Sequence, residues 1–359
     1  MELIFLDEQF QNIGAPVDDY TSLQWIRRYG KCGQFTLHLS PSEYEMAISA
    51  AFIYNNAADE TAIITSRQYI SGPDEHIKLS GYMLEHMLTW RMPESPETAE
   101  GNLEQEIMRI VEKFAMSNER AIPKLELGAQ LGIGNHISDQ ITNKSIGAWL
   151  YTALTPLGLS YKIHYDYSRD KLIFSLWSGK NRTQEQTENL HAVFSPEFEN
   201  ISDTEYWIDD GNYRNFAYIS GKDAEGNPLL VTVDNITNSE YRREIAITPG
   251  GIKLRDDLGN PLSPQQIEVV LMQKGIEELA RYKHIVKAAG ELHDTPALAY
   301  RTGYDLGDLC DFAIPGRGLA FSARITQVTE VYEGERLSVA PVFGDDYLTI
   351  REMITRGQG

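Results

Sequence analysis

The side chains able to do chemistry in this 359-residue chain are scattered rather than gathered. Nucleophilic hydrolysis needs a nucleophile, a base and an orienting group within mutual reach. No Gly-x-Ser-x-Gly elbow occurs, and that turn is what lifts a serine out of an α/β-hydrolase sheet. The histidines (His38, His76, His86, His136, His164, His191, His284 and His293) are dispersed. None forms His-Glu-x-x-His, which would put two imidazoles on one helix face to hold zinc. His38, His76, His86 and His164 fall in expected strands, where sheet packing accounts for them. Gly128, Gly132 and Gly134 lie in Leu127-Gly-Ala-Gln-Leu-Gly-Ile-Gly. The order is GxxxGxG with no Walker lysine-serine pair and no βαβ setting, so it reads as a plain loop rather than a nucleotide cradle. The carboxylate pairs Asp209-Asp210, Asp256-Asp257 and Asp345-Asp346 are adjacent in sequence. A glycosidase needs its two carboxyls across a cleft. These pairs read as solvated acidic turns, with calcium binding at a loop the rarer use. Cys32 and Cys310 form no CxxC or Cys/His cluster, which argues against structural zinc. Reduced, buried thiols are the default, and whether the two pair is left open. No catalytic, cofactor-binding or metal-ligating residue is assigned.

The elements behind these residues are mostly strands. Residues 2–7, 21–28, 34–40, 61–70 and 76–91 read as a mainly antiparallel β-region. In the third of these, Phe35, Leu37 and Leu39 alternate with polar residues, the period-two mark of a half-buried strand. Pro93-Glu-Ser-Pro-Glu97 breaks the pattern and marks a boundary. A helix over 102–117 follows, with Leu103, Ile107, Ile110, Val111 and Phe114 on one face. A second is expected over 145–157, then strands 159–167 and 171–177, then a polar linker, 181–189. Strands return at 213–221, 229–233 and 241–248. Ser263-Pro264 opens the longest expected helix, 264–289, with proline at the first helical position. Strands 298–304, 309–314, 319–332 and 336–343 complete the chain.

Composition fits a folded chain of two to four domains, with 42% hydrophobic and 23% charged residues. The formal net charge of −20 repels phosphate, which disfavours clamping of nucleic acid or of an anionic membrane. The simplest role of the charge is solubility. It also suits a passage through which DNA slips without sticking. The N-terminus Met1-Glu-Leu-Ile-Phe-Leu-Asp7 has no basic n-region, and no run approaches the ~20 apolar residues of a membrane span. No signal peptide or membrane insertion is expected, and assembly is expected in the cytoplasm.

One segment is more specific. Tyr300-Arg-Thr-Gly-Tyr-Asp-Leu-Gly-Asp-Leu309 is an aromatic-Asp-Leu-Gly-Asp turn that feeds the strand Cys310–Ile314. It is followed by the alternating strand Ala323–Val331 and by Val339–Gly344. Gly307 permits a tight turn, and Asp305 and Asp308 can accept its N–H groups. This segment, together with the glycine hairpin from Leu23–Arg28 into Phe35–Leu39, resembles the phage and prophage tail-hub proteins of siphophages. Those are related in turn to the hubs of contractile tails and of the type VI secretion spike. The resemblance implies a mainly β fold with two tube-like β-barrel domains, a small α/β domain and a long helix. Residues 1–95 and 194–248 would form the first tube-like domain, 96–193 the inserted α/β domain, and 249–359 the long helix and second tube-like domain. It further implies a homotrimer whose six β-domains make a ring at the tail tip of the virion. That ring would meet the distal tail protein, the tail tube and tip or fibre proteins, with DNA passing through the lumen. Tyr304–Leu309 and Leu23–Leu39 are the segments expected to matter most structurally. Two alternatives stand beside this reading. One is a carbohydrate- or receptor-binding tail module, marked by exposed tryptophan and tyrosine beside acidic side chains. The other is a tail-associated peptidoglycan hydrolase using acidic residues of the insertion. For Trp25, Trp90, Trp149, Trp177 and Trp207, core packing is the first expectation.

Overall fold

The computed structural model describes residues 1–344 apart from 238–239, 251, 253, 256–258, 296–297 and 335. The pairs Asp256-Asp257 and Asp345-Asp346 therefore lie outside the described residues. The first ninety residues supply β1 (Leu3–Leu6), β2 (Tyr20–Arg28), β3 (Gln34–Leu39), the short helix α1 (Tyr44–Ser49), β4 (Phe52–Asn55), β5 (Glu60–Ile70) and β6 (His76–Met83). They pair in the order β1-β4-β5-β6-β3-β2. Phe35, Leu37 and Leu39 point into the core as their alternation requires, against Trp25, Leu23 and Leu79. Beyond β6 the expected strand gives way to a 3-10 run, Leu84–Trp90, which buries Leu84, Met87 and Leu88.

The insertion carries β7 (Glu97–Asn102), α2 (Leu103–Val111), β8 (Leu125–Leu127), β9 (His136–Ile141), α3 (Ile146–Leu154), β10 (Ser160–Asp166) and β11 (Lys171–Trp177). Asn102 caps α2 and Ser145 caps α3, each through a side-chain oxygen that accepts a backbone N–H. The predicted apolar face of α2 is buried, and its last turn widens into a π-helical turn over Glu112–Met116. Ile107, Ile110, Val111 and Trp149 share one core with Phe10, Phe52, Tyr54 and Leu88 of the first region. At roughly 1.5–3 kcal/mol for each large apolar side chain buried, this shared core fixes the insertion on the first half of the sheet.

β12 (Val193–Phe194) and β13 (Ile201–Asp209) come next, followed by β14 (Phe216–Lys222), β15 (Pro228–Asp234), β16 (Glu244–Ile247) and α4 (Pro264–Leu279). The chain closes with β17 (Ile285–Leu292), β18 (Leu309–Ile314), β19 (Leu319–Glu333) and β20 (Arg336–Gly344). Residues 194–248 do not complete the first β-region. β13 pairs with β17, β12 pairs with β18, and β14–β16 form a separate three-stranded sheet. On that sheet α4 packs through Ile267, Leu271 and Leu279. The helix also ends at Leu279, ten residues short of the expected 289. The β-branched pair Ile285-Val286 begins β17 instead, where pairing with β13 outweighs the helical spacing. The expected strand 298–304 is a compact turn. There Gly303 N–H reaches Ala299 O at 2.7 Å, and Arg301 holds a left-handed φ of 65°.

The two closed barrels are a further correction. Twelve of the twenty described strands form one open sheet, and its two halves meet through β2 and β19, while the rest form three small sheets. β2 is hydrogen-bonded to β3 on one edge and β19 on the other. β19 is long enough to serve three partners: β18 along its start, β2 along its end and β20 opposite. The backbone groups that would close each half on itself are thus engaged in joining the halves. The fold is mainly β, as expected, with helices on the flanks.

A candidate assembly site at the junction of the two halves

Where β2 meets β19 the core turns ionic. Arg27, on β2, sits between Glu60 (2.7 Å) and Asp305 (2.5 Å) and also donates to Tyr300 Oη at 2.9 Å. Glu330, on β19, is fully buried. It accepts from Tyr300 Oη (2.6 Å), Arg301 (2.6 Å) and Tyr332 Oη (2.5 Å). Arg301 reaches back to Glu60 at 3.5 Å, and the Trp25 indole donates to the other Glu60 oxygen at 2.7 Å. Every charge has an opposite neighbour, which is the condition for keeping ions out of water. Burial works to raise the Asp305 carboxyl, but Arg27 and the Leu306 N–H outweigh it and hold it below the usual carboxylate range. Burial also works to lower Arg27, whose guanidinium is nonetheless held well above its ordinary value by Glu60 and Asp305.

Glu330 faces inward because of a bulge. The alternation of Ala323–Val331 predicts that Val331 points into the core. The register of β19 against β20 shifts between Ile325 and Gln327. That shift moves the buried set from Ala323 and Ile325 to Val328 and Glu330. The sequence carries no signal for this carboxylate.

The aromatic-Asp-Leu-Gly-Asp turn holds three parts of the chain. Asp308 is almost completely enclosed and binds Arg182 at 2.6 Å, Lys180 N–H at 2.7 Å and Asp305 N–H at 3.1 Å. Gly307 has φ +86°, and a Cβ there would lie 2.7 Å from Tyr29 and 2.8 Å from Trp177. Gly179 meets the Gly307 carbonyl directly and has no room for a side chain. Arg324 lies over the Tyr29 ring, 5.0 Å from its centroid, and donates to the Gly307 carbonyl. The two segments singled out in the sequence, Leu23–Leu39 and Tyr304–Leu309, are thus in direct contact. The exit of the insertion, residues 177–182, is clamped with them. The expected polar linker 181–189 is part of this clamp, since Arg182 is buried and its N–H bonds Leu309 O.

The other residues weighed for chemistry stay apart. The glycine segment is an anion cradle already filled from within. Leu131, Gly132 and Ile133 point successive N–H groups at the buried Glu104 carboxylate, at 2.6, 2.8 and 3.0 Å. Glu97 is taken by Arg109 and Lys113, and Glu126 by Arg169 and Lys171. These insertion carboxylates have structural partners. Asp209 caps its own turn at Gly211 N–H, and Asp210 binds His284 at 2.6 Å. His38 and His76 lie ring to ring on the sheet face, 5.0 Å apart. Cys32 and Cys310 are free thiols, and burial pushes Cys310 up. Trp25 and Trp149 are core residues, whereas Trp90 is half exposed. Among the described residues, no three His, Cys, Asp or Glu side chains cluster to hold a metal ion, and no helix is long and apolar enough to cross a membrane.

This architecture is shared with solved tail proteins. A tail protein from Neisseria meningitidis aligns with TM-score 0.59 at 12% identity, covering 96% of both chains. The prophage MuSo2 43 kDa tail protein from Shewanella oneidensis aligns with TM-score 0.62 at 13% identity, over 96% of this chain and 98% of that one. Prophage tail protein gp18 from Listeria monocytogenes aligns with TM-score 0.56 at 12% identity, over 100% and 98%. The fold is therefore that of phage and prophage tail proteins. Residues 2–345 match the family described as Siphovirus ReqiPepy6 Gp37-like protein, and the chain belongs to that family. No curated protein matches. The likeness to siphophage tail proteins drawn from Tyr300–Leu309 and Leu23–Leu39 is borne out.

Proposed function

We propose that the chain is a non-enzymatic hub subunit at the tail tip, and that three copies close into a ring that caps the tail tube around the DNA path. The observation that supports this reading most is the unequal treatment of the two sheet edges. β1 is covered by its own chain, through Leu3 N–H to Val17 O (2.9 Å), Val17 N–H to Leu3 O (2.8 Å) and Ile13 N–H to Phe5 O (2.8 Å). β13, at the other end, has no strand on its outer side among the described residues, and its Ile208 is 56% exposed. An open edge that carries an exposed apolar side chain can pair with another strand unless something covers it. Head-to-tail contacts between copies cover such edges and close when the rotation fits. Two sheet halves per chain would let three copies present six units to a six-fold tube. The ionic junction then has a mechanical role, since it fixes the angle between the halves and so the curvature of the ring. DNA would pass through the lumen without specific binding, and the distal tail protein, tail tube and tip or fibre proteins would be the neighbours.

Light scattering on the purified chain, alone and with its tail-tube partner, tests this. The expected mass is that of three chains, reduced to one by Ile208→Lys on the exposed edge. A monomer under both conditions overturns the ring.

A further inference from the structure

Side chains of the first strand region and of the insertion line an open cleft of about 480 Å³, within the roughly 300–1,000 Å³ of small-ligand pockets. Phe10, Gln11 and Asn12 line it together with Tyr165, Tyr167 and Asp170. We propose that this cleft binds a neutral saccharide, and that Tyr167 and Asn12 are its recognition residues. The inference does not depend on the hub reading.

The aromatic wall is prearranged. Tyr167 stacks one face on Tyr54 (centroids 5.1 Å apart, 18° between planes), while the ring is 40% exposed, so its free surface is the side turned from Tyr54. Phe10 and Tyr165 pack behind this ring, 4.7 Å apart. Both are buried behind it and hold it rigid. Such a ring face offers an apolar plane to the C–H face of a sugar, and its two torsions leave little entropy to lose on binding.

The polar groups select against other ligands. Aromatic rings beside a carboxylate would also suit an organic cation. Here the charge of Asp170 is already matched, because Lys124 binds both its oxygens at 2.6 and 2.7 Å. The Lys124 ammonium itself lies 5.4 Å from the Phe10 ring centroid, where a ligand cation would otherwise sit. The Tyr165 hydroxyl donates to Asp170 at 2.9 Å and fixes its orientation. What remains is a neutral, oriented set of donors and acceptors. Tyr167 donates to Asn12 Oδ1 at 2.9 Å, which leaves the NH2 of that exposed amide to donate. The exposed Gln11 side chain donates weakly to Gln9 O at 3.4 Å and keeps its own oxygen to accept. A ligand with a C–H face and several hydroxyls meets all of these groups, and a cation or an apolar compound leaves most of them unmatched.

Saturation-transfer NMR on the full chain, with glucose, galactose, rhamnose and N-acetylglucosamine as separate probes and choline as the charged comparator, tests the proposal. The expected result is transfer to ring C–H protons of at least one sugar, with none to choline. Tyr167→Ala and Asn12→Ala should each weaken the apparent affinity at least tenfold, and Tyr44→Ala, on an exposed ring elsewhere, should leave it unchanged. Asn12 is an exposed surface position, so its variant separates lost binding from lost folding. Transfer to choline alone, no transfer to any sugar, or equal transfer in the Asn12→Ala protein overturns the assignment.

Discussion

Removing Glu330 is the sharpest perturbation of the junction. The side chain is fully buried and receives Arg301, Tyr300 and Tyr332. Glu330→Ala leaves a guanidinium and two hydroxyls without their acceptor. Breaking a buried ion pair from one side costs about 3–5 kcal/mol. Arg301 retains Glu60 at 3.5 Å and about a quarter of its side chain reaches solvent, so the lower end of that range applies. Each stranded hydroxyl adds about 1 kcal/mol, which brings the expected loss to roughly 5 kcal/mol. Glu330→Gln keeps an acceptor and loses only the charge, so it should cost about half as much. Tyr332→Phe should cost about 1 kcal/mol. Urea unfolding followed by tryptophan fluorescence measures the series, since Trp25 is buried at this seam and bonded to Glu60. The ranking Ala, then Gln, then Tyr332→Phe is the expectation. A Glu330→Ala loss below about 1 kcal/mol would refute the claim that the ionic cluster holds the halves together.

Three further outcomes follow from the geometry. Gly307→Ala puts a Cβ into Tyr29 and Trp177 at a left-handed φ, and strain plus overpacking of roughly 2–5 kcal/mol should lower the soluble yield and the melting temperature. Glu104→Gln weakens the cradle of Leu131, Gly132 and Ile133, and limited proteolysis should then cut within 128–135 at least several-fold faster. Burial raises the Glu85 carboxyl from 4.5 to about 7. A carboxyl raised in the folded state stabilises fully below its ordinary value, and that contribution is lost as pH climbs through 7. Wild type should therefore lose up to about 3 kcal/mol between pH 4.5 and 8 from this group. Glu85→Gln should flatten that slope in melts taken across the same range, and an unchanged slope counts against the assignment.

How much of this was legible in the residues depended on the range of the interaction. Phe35, Leu37 and Leu39 declare their burial locally, and so do the capped helices after Asn102 and Ser145. The turn Tyr304–Leu309 was recognisable because Gly307 and its flanking aspartates act on their own backbone. Long-range pairing was not legible. The end of α4 at Leu279 is set by β13, which lies some eighty residues upstream of β17. The grouping of 194–248 with the first strands failed for the same reason, because β14–β16 answer to α4. Closed barrels gave way to one open sheet once β2 found β19, about three hundred residues away. Glu330 was hidden by a one-residue bulge that reverses which side of β19 is inside. Arg27 and Arg301 meet on Glu60, a carboxylate distant from both in the sequence. The Phe10–Tyr167 cleft draws its rings from both sides of a boundary, so no single stretch of sequence displays it.

The central proposal is that three copies of this chain close one ring through the β13 edge. Single-particle reconstruction of intact tails containing the chain tests it most directly. The account predicts three-fold density at the tip into which three copies fit, with β13 of each abutting its neighbour around an open channel. Density holding a single copy, or copies seated away from the channel with β13 facing solvent, would contradict it.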